Sequence, residues 1–170
     1  MNYFDKILIP VLSGKSITLS DITILDKQKY FNLYTDDQLN KYWGYDYRED
    51  LSGEVTPDYF YNFQLKMKDT KEEYSLAIRL DGKMIGEVVM HNFTENSIEI
   101  GFRVDKNYHG CGYAYDAVKT LINYISSELK PSFITAKCYI KNEPSKNLLT
   151  KLNFNFVASD DIYFYYNLPL

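Results

Sequence analysis

Residues 98–114 read Ile98-Glu99-Ile100-Gly101-Phe102-Arg103-Val104-Asp105-Lys106-Asn107-Tyr108-His109-Gly110-Cys111-Gly112-Tyr113-Ala114. In the first seven, Ile98, Ile100, Phe102 and Val104 alternate with Glu99, Gly101 and Arg103. That period of two is a strand with one apolar face. From Gly112 the period changes. Ala114, Ala117, Val118, Leu121, Ile122, Ile125 and Leu129 fall on one helical stripe, predicting a helix over 112–129 with Pro131 beyond its end. Between strand and helix stand Gly110 and Gly112. Glycine lets backbone N–H groups turn outward with no Cβ in the way. With the helix N-terminus they make an anion site suited to a pyrophosphate. The third glycine of the dinucleotide fingerprint is missing, and no Gly-Lys-Ser/Thr phosphate loop is present.

Working outward, Tyr74, Leu76, Ile78 and Leu80 alternate with Ser75, Ala77 and Arg79, a second strand. Asp81-Gly82 is a hairpin turn and Met84–Asn92 the return strand. Thr94–Asn96 turns again into Ile98–Val104, completing a meander. Upstream, Ser16–Leu19 reads as a short strand and Leu25–Thr35 as a helix. A second short helix covers Asp36–Trp43, and Gly44–Thr56 reads as a loop. Pro57 opens a helix to about Asp69 with Tyr59, Phe60, Phe63 and Met67 on its apolar face. Downstream come a strand Phe133–Ile140, a helix Glu143–Leu152, and closing strands Asn155–Val157 and Ile162–Leu168. The expectation is one α/β domain over residues 1–170, a mixed and mostly antiparallel sheet flanked by helices.

The chain has 170 residues, room for one ordinary domain, and 45% hydrophobic residues. A net charge of -4 with no basic run argues against nonspecific nucleic-acid binding. Two cysteines, Cys111 and Cys138, are too few for a secreted disulfide framework, and they form no metal-ligand spacing with His91 and His109. The opening residues MNYFDKILIPVLSGK lack an apolar signal core. No apolar run approaches the ~20 residues a membrane span needs. A reduced, cytoplasmic protein without membrane, nucleic-acid or metal partners is expected, as monomer or homodimer.

At the glycine turn the sequence resembles the GNAT acetyltransferase superfamily. His109-Gly110-Cys111-Gly112-Tyr113-Ala114 looks like its pyrophosphate motif, Arg/Gln-x-x-Gly-x-Gly/Ala, with His109 where Arg or Gln is usual. Ile98-Glu99-Ile100-Gly101-Phe102 and Asn142-Glu143-Pro144-Ser145, followed by Leu148, Leu149, Leu152, Asn153 and Phe154, are similar to segments of the ribosomal-protein N-terminal acetyltransferase branch. There Asn153 replaces a glycine. The resemblance implies acetyl-CoA as cosubstrate and no metal. It implies a sheet splayed near the cofactor and transfer to a primary amine. The cofactor contacts would be Phe102, Arg103, Val104, His109, Gly110, Cys111, Gly112, Tyr113, Ala114, Asn142 and Ser145.

Asn142 and Ser145 both suit a helix start, so capping is a plain role for either. In the catalytic reading, Asn142 touches the acyl-CoA arm and Ser145 protonates the departing thiolate. An amine must lose a proton to attack a thioester. Glu99, facing away from the apolar stripe, is the first candidate base, with Glu87 and His91 as alternatives. An α-amine of pKa about 8 is roughly one-tenth neutral at pH 7, so it demands less of a base than a lysine does. Trp43-Gly44-Tyr45-Asp46-Tyr47 is an aromatic loop. Trp43, Tyr45 and Asp46 would meet the acceptor, with Asp46 or Glu49 attracting a cation. Trp43 could equally be core. The acceptor is a peptide N-terminus or a small cationic amine, and a CoA-binding module without catalysis is the rival from another class.

Overall fold

A computed structural model describes residues 3–49 and 53–170, so residues 50–52 of the expected loop lie outside the described residues. The strands are β1 (Leu12–Ser13), β2 (Thr18–Asp21), β3 (Glu73–Leu80), β4 (Lys83–His91), β5 (Ser97–Val104), β6 (Phe133–Tyr139), β7 (Asn155–Ser159) and β8 (Tyr163–Pro169). The helices are α1 (Lys27–Thr35), α2 (Asp37–Asn40), α3 (Pro57–Asp69), α4 (Tyr113–Tyr124) and α5 (Glu143–Lys151). Among the described residues the strands form one sheet in the order β1-β2-β3-β4-β5-β6-β8-β7. Neighbours run antiparallel except β5 and β6, which are parallel. No helix of the described residues is long and apolar enough to cross a membrane.

Both sheet faces are buried, by different elements. The α4 stripe puts Ala117, Val118 and Leu121 against Val88, Ile98, Ile100 and Ile134. Each fully buried Leu or Ile there contributes roughly 1.5–3 kcal/mol. The other face is covered by α1 and α3, where Tyr30, Leu33, Tyr34 and Phe60 close over Ala77 and Met84. The Tyr34 and Phe60 rings stack at 4.4 Å.

Several boundaries differ from the sequence expectation. The first strand of the predicted set lies at Thr18–Asp21, two residues later than read, and is preceded by the two-residue β1. A capping box between Thr23 and Asp26 organises a 3-10 turn, so α1 starts at Lys27 and not at Leu25. Helix α2 stops at Asn40, leaving Trp43 in a turn. The helix expected to reach Leu129 does, but its last turn, Ile125–Leu129, is π-helical. Lys130 ends it in the left-handed region at φ 53°.

One topological feature positions the site. β5 and β6 pair only over Ser97–Glu99 and Phe133–Thr135. Beyond Glu99 and Thr135 the two strands part. Alternate backbone N–H and C=O groups of the residues that follow point into the gap, because a strand directs such groups to both its edges.

Candidate active site

A cavity of about 590 Å³ occupies this gap. Its walls are β5 from Ile100 to Val104, β6 from Ala136 to Cys138, the start of α4 and the start of α5. Gly110 and Gly112 have φ of 76° and 82°, and a Cβ built on either would meet nothing within 4 Å. Gly112 is the N-cap of α4 and has no side chain to cap it. The first amides of a helix have no intrahelical partner. Those of Tyr113, Ala114 and Tyr115 belong to residues that line the cavity. The nearby carboxylate, Asp116, is already held by the amides of Lys15, Ser16 and Ile17 at 2.9, 2.7 and 3.3 Å. The turn therefore presents an open, uncapped set of N–H groups, which fits a diphosphate. The gap is continuous with it and is walled by β5, β6 and the start of α5.

The other sequence-derived cofactor residues divide. Phe102, Val104, His109, Asn142 and Ser145 line the cavity. The His109 ring, however, shares a hydrogen bond of 2.6 Å between Nε2 and the Val104 carbonyl, so it closes the loop on the end of β5. Cys111 is exposed and lies outside the lining, its thiol 3.6 Å from the His109 carbonyl. Arg103 borders the cavity, but its side chain is only 3% exposed and pairs with the fully buried Glu87. Burial works against the Arg103 charge. Glu87, with Tyr34 and Tyr30, outweighs it and holds the guanidinium above its ordinary value.

Asn142, not Ser145, caps α5: its side chain accepts from the Ser145 amide at 3.3 Å. Ser145 stands at the third helical position, half-buried, with its hydroxyl against Cys138. Burial pushes the Cys138 thiol up despite that hydrogen bond, which keeps it protonated and poorly nucleophilic.

Glu99 lines neither cavity. It stands where β5 and β6 begin to part, on the sheet face opposite α4, with a side chain 16% exposed. Asn92 donates to it at 2.8 Å, and His91 Nε2 and Lys137 Nζ each lie 3.8 Å away. Burial pulls His91 below its ordinary value. Glu87, an alternative base from sequence, is 0% exposed and ion-paired, so it cannot serve.

A second cavity of about 510 Å³ opens on the far side of α2 and contains Tyr45, Asp46 and Glu49. Trp43 lines the first cavity instead, together with Gln38, Leu39 and Tyr42. The stretch from Asp37 to Trp43 is thus a partition between the two. Its end meets β6 where the Tyr42 ring lies 5.6 Å from that of Tyr139. Asp46 accepts from Arg48 Nε at 2.8 Å, and Arg48 also pairs with Asp37 at 3.0 Å. The Arg48 guanidinium holds Asp46 below the usual carboxylate range. The cation that Asp46 attracts is therefore one of the chain's own. Sequence reading missed Tyr42 and Cys138. Alternation along Phe133–Ile140 was the available signal for Cys138, while nothing local marks Tyr42 off from its aromatic neighbours.

A family profile described as an acetyltransferase (GNAT) domain matches residues 16–155. The uncharacterized N-acetyltransferase YnaD of Bacillus subtilis (strain 168) is 31% identical over 85 residues, 49% of this chain and 50% of that protein. The match thus spans half of YnaD. A GNAT-family acetyltransferase structure from Bacillus anthracis superposes with a TM-score of 0.79 at 20% identity, covering 94% of this chain and 98% of the other. The ribosomal alpha-N-protein acetyltransferase RimL, solved with coenzyme A, gives 0.78 at 14% identity over 95% and 97%. At such identities the two structures speak to the fold alone. The profile spans most of the chain, and the residues it matches include the glycine turn, the parted strands and the α5 start that surround the cavity. The chain belongs to the GNAT family of N-acetyltransferases, enzymes that use acetyl-CoA.

Proposed function

We propose that this chain transfers an acetyl group from acetyl-CoA directly to the α-amine of a peptide, within a ternary complex. The observation that carries the reading is the parting of β5 and β6. Glu99 sits at its closed end and Ser145 on its wall. Acetyl-CoA would be held by the amides of Gly110–Ala114 and by the strand edges of the gap, and it supplies an activated acyl carbon. The acceptor nitrogen attacks that carbon, the carbon–sulfur bond breaks, and the amine proton passes to Glu99. The Ser145 hydroxyl steadies and protonates the departing sulfur and regains its proton from solvent, to which Glu99 releases the one it took. A thiol pKa near 8.5 makes the thiolate a fair leaving group, so this last contribution is modest. Direct transfer is favoured over an acyl-cysteine because Cys138 is buried and protonated and Cys111 lies outside the cavity.

Two features favour a peptide over a small cation. The carboxylates Asp37 and Asp46 that would attract a cation are occupied by Arg48. Tyr163 and Tyr165 stay partly exposed beside Lys137, an ion-pair neighbour of Glu99, leaving room for a bulky acceptor. The test is acetyl-CoA turnover with peptides bearing a free N-terminus, the same peptides N-blocked but carrying lysine, and polyamines. Free N-termini should give the highest kcat/KM. Turnover confined to polyamines would refute the peptide reading. Tight acetyl-CoA binding without turnover on any amine would refute catalysis.

A further inference from the structure

Arginine is almost never fully buried without a partner and a reason. Arg103 is buried to 3% and Glu87 to 0%, yet Arg103 Nε and Glu87 Oε2 have no hydrogen-bond partner among the described residues. An apolar pair would fill the same space at no desolvation cost. What arginine alone offers is a flat fork with two faces for aromatic rings. Two rings lie against it. The guanidinium carbon lies 4.0 Å from the Tyr34 ring centre and 4.3 Å from that of Trp43. Nη1 donates to Asn40 Oδ1. The Asn40 amide in turn donates to the carbonyls of Leu33, Tyr34 and Asp36 at 2.7, 2.9 and 2.9 Å. One side chain of β5 thus touches Tyr34 at the end of α1, Asn40 at the end of α2 and Trp43 in the turn beyond it. A Cβ at Gly101 would press on Val89 Cγ2 at 2.9 Å, while the Trp43 indole, 3.8 Å away, would be in ordinary contact with it.

We propose that Arg103 is a positioning residue for the acceptor, holding Trp43 and the partition between the two cavities at a fixed distance from the parted strands. The proposal rests on the reading of Trp43 as an acceptor wall. It gives a role to a side chain that is only 3% exposed and that the acetyl-transfer reading leaves unused. Misplacement of a wall by about 1 Å can cost on the order of a hundredfold in rate, so the effect belongs in the amine terms and not in cofactor affinity.

Two single variants and their double test it. Arg103→Lys keeps the charge opposite Glu87 but loses the planar fork. Trp43→Leu removes the ring and keeps the buried pair. Each should raise the amine KM about tenfold or more while the acetyl-CoA Kd stays within about twofold. If Arg103 acts through Trp43, the double variant is no worse than Trp43→Leu. Trp43 is the only tryptophan in the chain, so its emission should shift in Arg103→Lys without any substrate. An effect of Trp43→Leu but not of Arg103→Lys overturns the proposal alone, as does a double variant whose losses multiply or an equal loss of acetyl-CoA affinity. An unchanged amine KM in Trp43→Leu overturns the wall reading and the proposal with it. Should Arg103→Lys fail to fold, Asn40→Ala leaves the Arg103–Glu87 pair in place, cuts the tether to α2 together with Asn40's own bonds to the end of α1, and must raise the amine KM in the same way.

Discussion

Gly112 and Gly82 form a matched pair for separating backbone strain from loss of a ligand site. Their φ values are 82° and 77°, and a Cβ on either meets nothing within 4 Å. Alanine at either position therefore pays only the left-handed backbone cost, roughly 1–2 kcal/mol. In a domain of this size that lowers Tm by about 2–8 °C. The two differ in what the open space is. At Gly82 it is solvent beyond the β3–β4 hairpin; at Gly112 it is the cavity mouth beside the uncapped amides of α4. A methyl at Gly112 obstructs one charge-assisted hydrogen bond worth about 1.5–3 kcal/mol. The expected loss of acetyl-CoA affinity is about 10- to 100-fold, and larger for Gly112→Val. Urea unfolding should give the two alanine variants similar stabilities, while calorimetric titration with acetyl-CoA should separate them. Wild-type affinity in Gly112→Ala, or an equal loss in Gly82→Ala, would refute the assignment of the turn.

Three other outcomes are expected. Glu99→Gln should lower turnover about a hundredfold, with the deficit shrinking as pH rises and the amine deprotonates unaided; a pH–rate profile identical to wild type would pass the role to His91. Asn142→Ala should cost about 1 kcal/mol of stability as a lost cap, whereas Ser145→Ala should melt normally and slow single-turnover transfer, and the reverse pattern would exchange their roles. Burial, aided by the Glu87 carboxylate, pushes Glu73 up to about 7 from its ordinary 4.5. The folded state thus binds a proton that the unfolded chain has released between those values. The stability this group contributes is full below pH 4.5 and lost as pH rises through 7. Glu73→Gln should gain on wild type by about 1–3 kcal/mol between pH 5 and 8, allowing for its partial exposure. Urea curves that stay parallel across that range would refute it.

What the sequence made legible is what local chemistry encodes. The α4 stripe, the strand alternation and the glycine turn each depend on neighbours within a few residues. So does the Asp81-Gly82 hairpin, where both residues take positive φ, 48° and 77°. The harder readings depend on what packs from far away. Alternation places Arg103 off the α4 face, but only the arrival of Tyr34 and Trp43 makes that second face a core. The cation for Asp46 is Arg48, two residues along, yet only the loop's fold turns one toward the other. Asn142 and Ser145 are equally good caps by type, and the backbone chose Asn142. The gap between β5 and β6 has no sequence signature, since it is a failure of two distant backbones to stay in register.

That short parallel seam has a mechanical consequence. Three residue pairs join the antiparallel plate β1–β5 to the smaller plate β6–β8 by sheet hydrogen bonds. Each plate is braced internally along its strands, so a twist between them concentrates at Ser97–Glu99. The sheet behaves as two leaves on a hinge, with the open edge at the glycine turn and the pin beside Glu99. A molecule clasped between the leaves acts as a shim. It sets the angle of the hinge, and through it the attitude of the one carboxylate mounted on the pin.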